Sequence, residues 1–114
     1  MENNIYEIIT LNEAKEDIND LFQYIAADSK KNEMNVFQKI KQVISSLKEF
    51  PHRGNLISLL EDVGFTDLRE IHMKPYRIFY KIIEKKVFVI AVMDGRRNIE
   101  VEMEKRMLMK LNLN

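Results

Sequence analysis

Cysteine is absent from the 114-residue chain, which excludes a disulfide framework, a thiolate metal site and a cysteine nucleophile, and fits a reducing compartment. No run approaches the ~18 consecutive apolar residues of a membrane helix. The opening Met1-Glu2-Asn3-Asn4 has neither a basic n-region nor an apolar h-region. A cytoplasmic protein without a membrane span is expected. No phosphate loop, zinc-type histidine pair or small-residue nucleophile elbow occurs, so no cofactor and no metal are expected. His52 and His72 are the two histidines, and they stand in different segments without ligand spacing.

The formal net charge is zero, yet it divides unevenly. Residues 1–66 hold 7 Lys/Arg and 11 Asp/Glu (7 − 11 = −4), and residues 67–114 hold 11 and 7 (11 − 7 = +4). An anionic partner would therefore meet the second half. Apolar residues make up 46% of the chain and charged residues 32%, which is the composition of a folding chain and not of a disordered one. The length suits one domain spanning residues 1–114.

Ile5, Tyr6, Ile8 and Ile9 make a short β-prone run. From Glu13, apolar residues recur at Ala14, Ile18, Leu21, Phe22 and Ile25, a helical spacing. Asp28 and Ser29 interrupt it. A second stripe runs through Val36, Phe37, Ile40, Val43, Ile44 and Leu47 and stops at Phe50-Pro51, because proline disfavours helix in the residue before it. Two helices with a short link predict an antiparallel hairpin, with Phe22, Ile25, Phe37, Ile40 and Ile44 against the sheet. Residues 56–66 show no clear pattern. Three β-prone runs follow, Leu68 to Met73, Tyr76 to Ile83 and Val87 to Met93, and links this short require antiparallel neighbours. Ile99, Met103, Met107 and Leu111 then mark a final helix. The expected fold is α+β: an antiparallel β-sheet with an N-terminal strand, a packed helical hairpin and a C-terminal helix, in the order β-α-α-β-β-β-α.

Strand parity puts Arg77, Phe79, Lys81 and Ile83 on one side and Tyr76, Ile78, Tyr80 and Ile82 on the other, while Arg69 shares a side with Ile71 and Met73. Arg96 and Arg97 follow the last strand, so four guanidinium groups are expected near one edge of the sheet. Arginine presents a planar fork of donors suited to phosphate or carboxylate. The ordinary alternative is that Arg69 and Arg77 pair with Glu70, Asp94 or other carboxylates. Tyr80 is a candidate for base stacking or proton transfer, or a packing residue with a hydrogen-bonded tip.

Asp67-Leu68-Arg69-Glu70-Ile71, Tyr76-Arg77-Ile78-Phe79-Tyr80, and Val87 to Val92 followed by Asp94-Gly95-Arg96-Arg97 resemble the sheet signature of the RelE/ParE toxin superfamily. The leading strand, Tyr24-Ile25 in the hairpin, and the Leu47 to Pro51 helix end with Gly54 match in order. The resemblance implies a type II toxin–antitoxin toxin, a plasmid-stabilisation protein that a cognate antitoxin neutralises by wrapping its tail around it.

The superfamily divides into two activities. RelE-like members cut messenger RNA on the ribosome with basic side chains and a tyrosine or histidine-tyrosine pair near the C-terminus. Here residues 106–114 contain neither, and RNA cleavage needs groups to activate the 2′-hydroxyl and protonate the leaving oxygen. ParE-like members poison DNA gyrase by binding and carry a longer hairpin, which the span from Glu13 to Glu49 favours. The ParE-like reading is therefore the first expectation, with Arg69, Arg77, Tyr80, Arg96 and Arg97 as target or antitoxin contacts. A RelE-like endoribonuclease using Arg69, Arg77, Tyr80 and Arg96 is the alternative.

Overall fold

The computed structural model describes residues 5–26, 30–58 and 60–112, with side chains described except at 25, 26, 30–34, 63 and 107–112. The link at Asp28 and Ser29 and the side chain of Ile25 lie outside these. Strand β1 (Glu7–Thr10) leads into α1 (Asn12–Ala26) and α2 (Lys30–Ser46). Strands β2 (Asn55–Ile57), β3 (Leu68–Met73), β4 (Tyr76–Ile83) and β5 (Lys86–Asp94) and helix α3 (Ile99–Asn112) complete the chain.

The strands form one sheet in the order β1-β5-β4-β3-β2. The β3-β4-β5 meander is antiparallel as its short links require. Two features depart from the expected four-stranded antiparallel sheet. β1 pairs parallel to β5, Glu7 with Lys86 through Thr10 with Val89. No tight turn joins these two strands, so nothing local sets their relative direction. The unpatterned stretch before β3 supplies a fifth, three-residue edge strand, β2, antiparallel to β3. A 3-10 turn, Glu61–Val63, then ends on Gly64, whose φ of 95° is a left-handed conformation that glycine adopts without strain.

Both faces of the sheet are covered, which is why β4 reads as a nearly continuous apolar run. On one face Ala14, Ile18 and Leu21 of α1 and Ile40, Val43 and Ile44 of α2, with Leu47, pack on Ile71, Ile78, Tyr80, Val87 and Val89. On the other, Ile99 and Met103 of α3 pack with Leu60 on Leu68, Phe79, Ala91 and Met93. A β-bulge opposite Phe79 and Tyr80 leaves Ile90 as the extra residue of β5. It shifts the alternation, so that Val87 and Val89 face the hairpin while Ala91 and Met93 face α3.

The hairpin stripe is only partly buried as expected. Ile40 is enclosed. Phe22 and Phe37 instead meet edge to face, 5.4 Å between ring centroids, and both stay half-buried. The two rings fasten α1 to α2 at the rim of the hairpin more than they fasten it to the sheet.

The helix ends are satisfied locally. The first bond of α1 runs from the Lys15 N–H to the Leu11 carbonyl. Asn98 caps α3, its side-chain oxygen accepting from the Val101 N–H at 3.2 Å, with Glu100 and Glu102 in the first turn where the helix dipole favours negative charge.

Candidate functional site

The expected gathering of four arginines does not form, because strand parity sends Arg69 and Arg77 to opposite faces. Arg69 lies across β3 from Tyr80 on the hairpin face. Tyr80 is fully buried; its hydroxyl donates to the Pro51 carbonyl (2.7 Å) and accepts from the Gly54 N–H (2.8 Å). Arg69 donates to the carbonyls of Gly54 (2.7 Å) and His52 (3.3 Å). Together they pin the turn that carries the chain from α2 into β2. A Cβ at Gly54 would stand 2.6 Å from the Tyr80 hydroxyl, so only glycine fits there. Burial, foremost, raises the Tyr80 hydroxyl above its ordinary pKa, which keeps it a proton donor.

Arg77 points to the opposite face. It donates through Nε (2.7 Å) and through a terminal nitrogen to one carboxylate oxygen of Glu70, and its guanidinium lies 5.3 Å from the centre of the Phe79 ring. The second Glu70 oxygen meets His72 Nε2 at 2.6 Å. Glu70 is 6% exposed, so these contacts are what make a charge tolerable there.

Arg96 and Arg97 follow β5 at the sheet end that also carries Tyr76. Arg96 grips Asp94 with two parallel donors, 3.0 and 2.6 Å, and its own N–H adds a third at 2.9 Å. The hydrogen bonds from Arg96 hold the Asp94 carboxyl at a pKa of about 2. Since this lies below the ordinary value, the pair's small contribution to stability is present above pH ~4 and disappears as pH falls through about 2. A carboxyl-carbon NMR titration is expected to show Asp94 ionising at about 2, and Arg96→Ala should raise it part of the way toward the usual aspartate range, because the backbone N–H of residue 96 still donates to the carboxylate. Arg97 uses its backbone N–H on the Asp94 carbonyl. Its guanidinium has no hydrogen bond or ion pair among the described residues.

Sequence reasoning missed a third arrangement. Asp17 of α1 accepts the Val92 N–H (3.0 Å) with one oxygen and Arg106 of α3 (2.6 Å) with the other. β1 ends against Val89, so Asp17 satisfies the edge of β5 where no strand neighbour continues. Nothing in a linear sequence signals partners this distant. Beside it a cleft of about 480 Å³ opens between α1 and the turn after β5, lined by Asp17, Asp20, Leu21, Tyr24, Val92, Met93, Asp94, Arg96 and Arg97. Tyr24 is 72% exposed on its rim.

The family model for the ParE toxin of type II toxin–antitoxin systems matches residues 8–99. The chain belongs to the ParE toxin family. Among curated proteins no sequence relative matches significantly. The toxin's fold is similar to that in a chromosomal ParDE toxin–antitoxin system of P. aeruginosa, at 10% identity and a TM-score of 0.65 over 81% of this chain and 98% of that one. It is also similar to a free, doubly substituted RelE toxin of E. coli, at 19% identity and a TM-score of 0.60 over 90% and 96%. A third likeness is to the RelBE2 toxin–antitoxin complex of Mycobacterium tuberculosis, at 16% identity and a TM-score of 0.56 over 79% and 98%. At these identities the shared property is the fold. Among the described residues of the toxin, no helix is long and apolar enough to cross a membrane.

Proposed function

We propose that the toxin acts in the cytoplasm by binding DNA gyrase and blocking replication, and that a cognate antitoxin neutralises it by direct binding. The observation that supports binding over catalysis is the state of Tyr80. Its hydroxyl is buried and already engaged by Pro51 and Gly54. A general acid or base must instead come within hydrogen-bond reach of the reacting oxygen. Arg69 and Arg77, the other groups of the endoribonuclease alternative, lie on opposite faces and hold the 52–54 turn and Glu70. Membership of the ParE family favours the same side.

Arg96 and Arg97 remain exposed at the end of the sheet, and they are the proposed contacts for the antitoxin. Pulse labelling of cells after toxin induction tests the class of activity. Thymidine incorporation is expected to fall first, with methionine incorporation following later. Immediate arrest of methionine incorporation, with messenger RNA cut at ribosomal positions, would establish the RelE-type reading instead.

A further inference from the structure

The cleft between α1 and the turn after β5 has a charge arrangement that specifies what enters it. Two of its acids are already committed. Asp17 is held by Arg106 and the Val92 N–H, and Asp94 by Arg96. Among the described residues this leaves Asp20 on the α1 wall as a carboxylate without an ion pair and Arg97 on the facing wall as a guanidinium without one, its charge acting on Asp94 only as the smallest of the influences on that carboxyl. The paired groups fix the two walls, because each pair ties a side chain to its own or a neighbouring element. Tyr24, 72% exposed beside Asp20 on the same helix, offers a ring face to a cation. Leu21 contributes apolar surface to the same lining.

We propose that this cleft receives an extended segment of the antitoxin carrying one basic and one acidic side chain, the basic one between Asp20 and the Tyr24 ring and the acidic one on Arg97. The inference rests on the reading that the toxin is a binding protein with an antitoxin, and it revises the chemistry expected from the basic second half alone. A purely acidic segment would meet Asp20 and the carboxylates of Asp17 and Asp94, which already use the nearby cations, so one anion finds a free partner and a second finds repulsion. A segment of mixed charge finds both partners. A volume of about 480 Å³ holds a few side chains, which is what a short extended segment presents.

The test is a set of blocked peptides in which lysine and glutamate are separated by one to three residues around a leucine, with all-acidic and all-basic peptides of equal length. Binding to the whole toxin is followed by amide shifts of Tyr24, Arg96 and Arg97 at low salt. A mixed-charge peptide is expected to shift these signals saturably and at least about tenfold more tightly than either single-sign peptide. Asp20→Lys should remove that preference and favour the all-acidic peptide, while the rest of the spectrum shows the fold retained. The preformed toxin–antitoxin complex should not bind the peptide. Equal binding of the all-acidic peptide to the wild type, or no saturable shift at the cleft, would overturn the proposal. Peptide binding that persists in the complex would show that the antitoxin is not the occupant. Gyrase inhibition by the wild-type toxin, assayed separately, reports on the proposed function alone, so the two can fail independently.

Discussion

Arg77→Ala is expected to destabilise the toxin by about 2–4 kcal/mol, a large share of the total for a domain of this size. Glu70 is 6% exposed and takes two donors from Arg77. Truncation leaves that carboxylate with His72 as its remaining side-chain partner, and a buried charge stripped of its main counter-charge is costly. Replacing both members together, Glu70→Met with Arg77→Met, should cost less than Arg77→Ala alone, because no charge is then left behind. Urea denaturation at constant m-value measures both. A stable Arg77→Ala protein would mean that the Glu70 pair carries little energy. The same expectation bears on any activity assay, since a loss of toxicity in this variant reports unfolding until the folded fraction is known.

Tyr80→Phe removes a single oxygen and is expected to cost about 2–4 kcal/mol, since the Pro51 carbonyl and the Gly54 N–H each lose a partner inside the protein. The hydroxyl also sets an alkaline limit. Its pKa is raised in the folded protein, mainly by burial. The neutral form is therefore the one folding favours, and its contribution is complete below the unfolded value near ~10 and is lost as pH rises through the folded value. The phenylalanine variant should lack this component of the alkaline decline. A Tyr80→Phe protein as stable as wild type at neutral pH would show that the turn at 51–54 is held by something other than this hydroxyl.

The sequence was most legible where local punctuation is strong. β3 and β4 stand at Leu68–Met73 and Tyr76–Ile83 as expected, because Lys74-Pro75 and Glu84-Lys85-Lys86 bound them with turn chemistry. Parity correctly separated Phe79 from Ile78 and Tyr80. What escaped is set by tertiary pairing. β2 is three residues long and depends on β3 for its identity as a strand, the direction of β1 is set by β5, and the bulge at Ile90 breaks the alternation without a glycine to announce it. For the site, residue types were visible and their engagement was not. Parity sorted the residues within β3 and within β4, but only the register that pairs Arg69 with Tyr80 and His72 with Arg77 shows that Arg69 and Arg77 face opposite ways, and that register exists only in the folded sheet. Asp17 and Arg106 come from α1 and α3, and no spacing rule links residues so far apart. Tyr24 stood out as part of a motif, while its exposure beside the cleft required the fold.

The most direct measurement of the central claim is supercoiling of relaxed plasmid by purified DNA gyrase in the presence of purified toxin. Dose-dependent loss of supercoiling by the wild type is expected, relieved when the antitoxin is added, with Tyr80→Phe toxin inhibiting equally per folded molecule because the Tyr80 hydroxyl is engaged in holding the turn at 51–54. Gyrase that supercoils at its full rate in excess folded toxin would contradict the proposed function.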